Sequence, residues 1–190
     1  MIKTGDLYLD NYNSKADIVV NQGGTSSGKT YAILQVLFSK AIAETCTITV
    51  VGQDIPNLKV GALRDAIDIH NADEAIKQQV TFYNRSERVF TFKNGSIIEF
   101  NSYDNEQDAK SGKRDYLFVN EANGIPYNIF EQLSLRTRRQ VYLDYNPDTS
   151  FWVHDKIIPM PNAELIISDH RHNPFLSDKI RAKIEALKDK

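Results

Sequence analysis

The chain has 190 residues, 41% hydrophobic and 25% charged, the profile of an ordinary soluble globular protein of one domain with a sizeable core. Its 23 Lys and Arg against 25 Asp and Glu leave a formal charge of -2, so no global basic excess announces nucleic acid, and any DNA contact has to come from a local patch or a further domain. A single Cys excludes an intramolecular disulfide, no apolar run is as long as a membrane span, and the start lacks a signal-peptide pattern, so a cytosolic protein is expected with Cys46 as a small buried residue.

Residues 1–16 read as a polar arm holding Tyr8, Asn11, Tyr12 and Asn13. Asp17 to Ala43 follows, and the chain is organised around it. The β-branched run Ile18-Val19-Val20 predicts a short strand, and Ile33, Leu34, Val36, Leu37 and Ile42 carry helical spacing. Between them stands GGTSSGKT, Gly23 to Thr30, which matches the phosphate-binding loop pattern of Gly, four residues, Gly-Lys, then Ser or Thr. Gly23, Gly24 and Gly28 can take positive φ and let the backbone close around an anion. Successive N–H groups at the helix N-terminus then form an anion nest. Lys29 is expected to reach the β- and γ-phosphates, and the Thr30 hydroxyl to ligate Mg²⁺. The nucleotide-binding stretch is read as Gln22, Gly23, Gly24, Thr25, Ser26, Ser27, Gly28, Lys29, Thr30 and Tyr31. In nucleotide-binding folds the segment before such a loop often lies over the base, so Tyr12 is a candidate to stack on adenine; a packed aromatic in a polar arm is the alternative.

Thr45 to Gly52 suits a parallel strand covered on both faces. Asp54 can cap a helix with Pro56 in its first turn, running on through Leu58, Val60, Leu63, Ile67 and Ile69, and Asp73 to Gln79 reads as a second short helix. Val80 to Tyr103 changes period: VTFYN, RVFTF and SIIEF are three β segments, with Lys93-Asn94-Gly95-Ser96 as a hairpin turn. They predict an antiparallel addition at the edge of a parallel sheet. Asp104 to Asp115 is a polar loop whose Lys110, Lys113 and Arg114 make it either a phosphate sensor or a solvated surface loop.

Tyr116 to Glu121, YLFVNE, reads as a buried strand ending in a polar pair. In open α/β sheets ligands bind beyond such strand ends. Glu121 is the candidate catalytic carboxylate, touching metal through water. Asn120 stands where phosphate-loop ATPases commonly carry Asp; it can hydrogen-bond a metal-bound water but brings no charge. Tyr127 to Leu135 is a short amphipathic helix, followed by Arg136, Arg138 and Arg139, which are either a solvated helix end or a contact to a neighbouring subunit's nucleotide. Val141 to Tyr145 is a strand ending at Asn146-Pro147, where the Asn146 amide can register loss of the γ-phosphate. Phe151 to Ile158 suggests a helix, Ala163 to Ser168 a last strand, and Ser177 to Lys190 a charged amphipathic helix. The spacing of Asp169, His170 and His172 suits no ordinary zinc site.

The ordered set GGTSSGKT, FVNEAN, LRTRR with YLDYNP, and HRHNPFL resembles the ATPase domain of the large terminase subunit of tailed bacteriophages, over essentially the whole chain. The resemblance implies an α/β fold: a RecA-like P-loop NTPase of the ASCE type, a mostly parallel sheet flanked by helices. It implies ATP and Mg²⁺ as cofactors, Lys29 and Thr30 as phosphate and metal contacts, Glu121 as catalytic base, and Asn146 as the residue coupling hydrolysis to movement. Many members carry Arg inside the loop, where this chain has Thr25 and Ser26, so the finger falls to Lys110 or Arg114, or to Arg136, Arg138 and Arg139. The implied partners are double-stranded DNA, a homo-oligomeric ring on a portal protein, and the small terminase subunit, with no membrane, in the cytoplasm of the infected bacterial host. Residues 1–172 are the expected ATPase domain and 173–190 a linker toward a nuclease domain, with no nuclease activity expected here. The rival classes are a P-loop kinase, which needs a lid and an acceptor pocket, and a nucleotide-gated binding module without turnover.

Overall fold

A computed structural model describes residues 4–188; residues 1–3 of the expected ATPase unit and 189–190 of the expected final helix lie outside the described residues. In chain order the elements are α1 (Asp6–Asn13), β1 (Ile18–Gly23), α2 (Lys29–Ala43), β2 (Thr47–Val51), α3 (Ile55–Val60), α4 (Ala62–Ala72), α5 (Glu74–Gln79), β3 (Val80–Asn84), β4 (Val89–Phe92) and β5 (Ile97–Asn101). Then come α6 (Glu106–Ala109), β6 (Arg114–Val119), α7 (Tyr127–Ser134), β7 (Thr137–Tyr145), β8 (Ala163–Ser168) and α8 (Asp178–Lys188). Two 3-10 turns, Ala122–Gly124 and His170–His172, and a π-helical turn, Val153–Ile157, complete the path.

The strands form one eight-stranded sheet in the order β3-β4-β5-β2-β6-β7-β1-β8. From β5 to β8 every neighbouring pair is parallel, while β3 and β4 are antiparallel. This is the expected RecA-like α/β sheet with its antiparallel addition. Strand side chains alternate between two cores, as the period of two dictates. Val19, Ile48, Val50, Phe118 and Tyr142 face α2, α4 and α5. Val20, Leu117, Val119 and Leu143 face α7 and the π turn.

Five local readings change. The arm contains α1, whose buried face is Leu7 and Asn11. Asn11 exchanges two side-chain hydrogen bonds with Asn21 of β1, at 2.9 and 2.7 Å, so a polar residue does the docking and hides the helical period. The helix after Asp54 is broken at Gly61 (φ -111°, ψ -112°) into α3 and α4. The loop before Tyr116 holds α6 and gives Arg114 to β6. Arg138 and Arg139 lie within β7 rather than at a helix end, because that strand starts at Thr137. The stretch after Phe151 winds as a π turn.

Candidate active site

The parallel strands bring their C-terminal ends to one rim, and a cleft of about 510 Å³ opens there. It is lined by Thr25 to Tyr31, by Asn120 and Glu121 after β6, by Asp144 to Asn146, by Arg64 and Asp65 of α4, and by Asn173 and Phe175.

The loop closes because two residues take left-handed backbone, Ser26 (φ 70°) and Gly28 (φ 84°), the latter capping α2. Gly23 and Gly24 do not adopt positive φ. Gly23 is required for another reason: a Cβ there would lie 2.5 Å from Ser168 Oγ and 2.7 Å from the Ser168 carbonyl. Gly24 faces open space. Among the described residues the hydroxyls of Ser27 and Ser168 are buried without a hydrogen-bond partner. Ser27 is also in the cleft wall, where an anion can supply that partner.

Lys29, the first residue of α2, is buried and donates from Nζ to Asn146 Oδ1 at 2.7 Å. Burial pulls its pKa down, while Asp144, Glu121 and Asp148 hold its charge. Thr30 donates from its hydroxyl to the Asp144 carboxylate. Asp144 also accepts from Asn120 Nδ2 at 3.0 Å and from the Glu121 backbone N–H at 2.7 Å. Burial pushes the Asp144 carboxyl upward against the opposing field of Lys29. Glu121 is exposed to the cleft and sits in left-handed backbone (φ 53°, ψ 57°). That conformation costs a non-glycine residue about 1–2 kcal/mol. The bond to Asp144 and the Gly124 N–H on the Glu121 carbonyl at 2.8 Å hold it there. From Ser168 the chain returns over the loop: Asn173 donates to the Ser26 carbonyl at 3.0 Å, and Phe175 packs on Tyr31 with ring centroids 4.9 Å apart.

The cleft thus brings together Thr25, Ser26, Ser27, Gly28, Lys29, Thr30, Tyr31, Asn120, Glu121 and Asn146. Other sequence candidates lie elsewhere. Gln22 accepts from the Tyr145 hydroxyl at 2.7 Å and is not in the lining. Tyr12 stacks on Tyr8 and lies 4.8 Å beneath the Lys40 ammonium, on the distal half of α2. Arg114 is buried and donates to Thr49 Oγ1 at 3.1 Å and to the carbonyls of Leu133 at 2.9 Å and Ser111 at 3.3 Å. Lys110 is exposed at the end of α6. Arg138 is exposed, 3.7 Å from Asp115, and Arg139 pairs with Glu44. Arg114, Arg136, Arg138 and Arg139 precede or begin parallel strands, so they fall on the N-terminal rim, away from this chain's own cleft. Among the described residues Arg64 is the arginine that lines the cleft.

Sequence reasoning missed Asp144, Arg64, Asp65, Asn173 and Phe175. Asp144 had a signal: it is the one acid inside the otherwise hydrophobic run Val141 to Tyr145. Asp169 caps the turn over Arg171 and His172, while His170 is buried against Glu185. No group of three His, Cys, Asp or Glu among the described residues is placed to hold a metal, and none of their helices is long and apolar enough to cross a membrane.

Comparison with known proteins follows the same lines. The sequence model of the family described as phage terminase large subunit matches residues 15–190. No curated protein sequence matches the chain. Among solved structures it is similar to the large terminase of the thermophilic bacteriophage D6E, with TM-score 0.76 and 14% identity over 97% of this chain and 50% of that one. It is similar to the large terminase ATPase domain of Thermus phage P74-26, with TM-score 0.68 and 15% identity over 87% and 80% of the two chains. The N-terminal domain of the DNA packaging ATPase from bacteriophage phi29 gives TM-score 0.55 and 17% identity over 88% and 96%. At these identities the likeness is one of fold. The chain spans about half the length of the D6E protein.

Proposed function

The chain belongs to the phage terminase large subunit family, and from that premise we propose that it is the ATP-hydrolysing part of a DNA-packaging motor. The observation that carries this reading is the phosphate loop with Lys29 facing Glu121 across one cleft. The D6E large terminase has been solved with ADP and with ATP-gamma-S, which supports ATP as the nucleotide. The reaction is in-line attack of water on the γ-phosphate. Glu121, exposed at the end of β6, orients and activates the water. Lys29 and the loop N–H groups neutralise charge as it develops. Asn146 holds the Lys29 ammonium and so sits where loss of the γ-phosphate is registered.

The oxygen donors Thr30, Asp144, Asn120 and Glu121 fit Mg²⁺, a hard cation that prefers carboxylate, hydroxyl and water. Bound with the nucleotide, the ion would neutralise negative charge on the β- and γ-phosphates. On this reading residues 173–190 are a linker toward a nuclease domain. The motor reading extends to double-stranded DNA, a homo-oligomeric ring on a portal protein and a small terminase subunit, in the cytoplasm of an infected bacterium. A cation supplied by a neighbouring subunit adds on the order of a thousandfold, so the chain alone turns over slowly.

The test is Glu121→Gln. Phosphate release should be abolished while ATP affinity is kept. Turnover that requires an added acceptor would instead indicate a kinase, and ATP binding without any turnover in the wild type a nucleotide-gated module.

A further inference from the structure

We infer that Asp144, one strand away from the expected position, supplies the carboxylate of the nucleotide's magnesium site. The inference rests on the ATPase reading above. Asn120, at the end of β6, is neutral, so the residue beside Glu121 cannot meet a cation with charge. The sheet order places β7 between β6 and β1, and β1 leads into the phosphate loop. Val119 pairs with Leu143, which sets Asn120 and Asp144 side by side as the next residues of their strands. Asp144 is therefore at the same level as Asn120 and one strand nearer the loop.

Its bonds fit that place. Thr30, the loop hydroxyl expected to ligate the ion, donates to Asp144 and not to Asn120. Asn120 turns its amide nitrogen toward Asp144, as an amide does beside a carboxylate. The third donor is the backbone of Glu121. One carboxylate thus ties the loop hydroxyl, the neutral residue beside the catalytic acid, and the acid's own strained backbone. A carboxylate buried at 1% exposure is costly unless paired, and Lys29, the nearby cation, already bonds Asn146. A divalent ion at Thr30 removes that cost.

The experiment measures ADP affinity of the full chain, with a fluorescent ADP, in Mg²⁺ and in EDTA. The wild type should bind more tightly in Mg²⁺. Asp144→Asn should lose about tenfold to a hundredfold of that advantage. Its affinity in EDTA should hold or tighten, because a negative charge facing the phosphates is gone. Adding Asn120→Asp to Asp144→Asn should restore the Mg²⁺ advantage by returning the carboxylate to the neighbouring strand. The inference is overturned if Asp144→Asn keeps the advantage, if its affinities in Mg²⁺ and EDTA fall together, or if the double variant stays insensitive to Mg²⁺. Should Asp144→Asn fail to fold, the wild-type chain answers through electron–nuclear double resonance of its Mn²⁺–ADP complex with ¹³C-labelled aspartate carboxyls. Coupling that persists in Asp65→Asn supports the inference, and its absence overturns it. A wild type that binds no ADP in either condition fails the ATPase reading itself, a result separate from all of these.

Discussion

Both rims of the sheet carry a cluster of charged side chains, and the two clusters are built differently. At the N-terminal rim the charges close on one another. Arg139 pairs with Glu44, Tyr116 donates to the same carboxylate at 2.6 Å, and both Arg138 and Arg139 lie 3.7 Å from Asp115. Arg114 is sealed beneath them with its guanidinium on a hydroxyl and two carbonyls. At the C-terminal rim Lys29, Asp144 and Glu121 instead border open volume, with an unpartnered hydroxyl on Ser27 and a left-handed backbone at Glu121. A cluster whose donors and acceptors are mutually satisfied stabilises the fold; one that leaves donors facing a cleft is arranged for something not yet there.

The largest test of this contrast is at the C-terminal rim. Lys29→Met should lower ATP turnover by about a hundredfold or more. Arg138→Ala should leave turnover of the dilute chain unchanged. If Arg138→Ala lowers turnover only as protein concentration rises, the N-terminal rim serves a neighbouring copy's cleft, and the division holds within one chain only. Next in size is Arg114→Ala, which removes a buried guanidinium from three acceptors. It should cost about 3 kcal/mol in urea unfolding without altering nucleotide affinity. An affinity change there would break the contrast.

Phe175→Ala should weaken ATP binding by about 1 kcal/mol, because Phe175 lines the cleft packed on Tyr31 and base stacking is worth that much or more. Tyr12→Ala should not weaken it. The smallest effect is Tyr116→Phe, about 1 kcal/mol of stability from one hydrogen bond to Glu44. Burial, and then the Glu44 bond, push the Tyr116 hydroxyl up to about 12. The folded state thus holds this proton more tightly than the unfolded chain, whose tyrosine titrates near 10. The stabilisation is complete below pH 10 and falls as pH rises toward 12. The gap in urea midpoint between wild type and Tyr116→Phe should close over that window.

Much of this was legible in the sequence, for local reasons. The phosphate loop is contiguous, and its strand and helix announce themselves by period. Glu121 and Asn146 follow apolar strands, so the sequence alone places them on one rim. The same rule applied to Arg114, Arg138 and Arg139 would have put them on the far side, since they precede or open their strands. Charge and proximity in sequence alone do not reveal this. Asp144 was hidden because a strand covered on both faces reads as continuous core, and one acid in it looks like an interruption. The sequence leaves Tyr12 open between a base contact and a packed aromatic, because α1 docks through an amide pair, which has no apolar stripe to detect. The π turn has a side-chain pattern close to that of an α-helix.

The Asn173 amide rests on the Ser26 carbonyl, and Gly28 has its Cα against the same side chain, where an added Cβ would come within 3.2 Å of Asn173 Cγ. The stretch from Asn173 to α8 is therefore fastened to the backbone of the loop between β1 and α2. A displacement of that stretch is passed to the loop and α2 at two points, Phe175 on Tyr31 and Asn173 on Ser26, and any shift of the Ser26 peptide has to be met by Asn173.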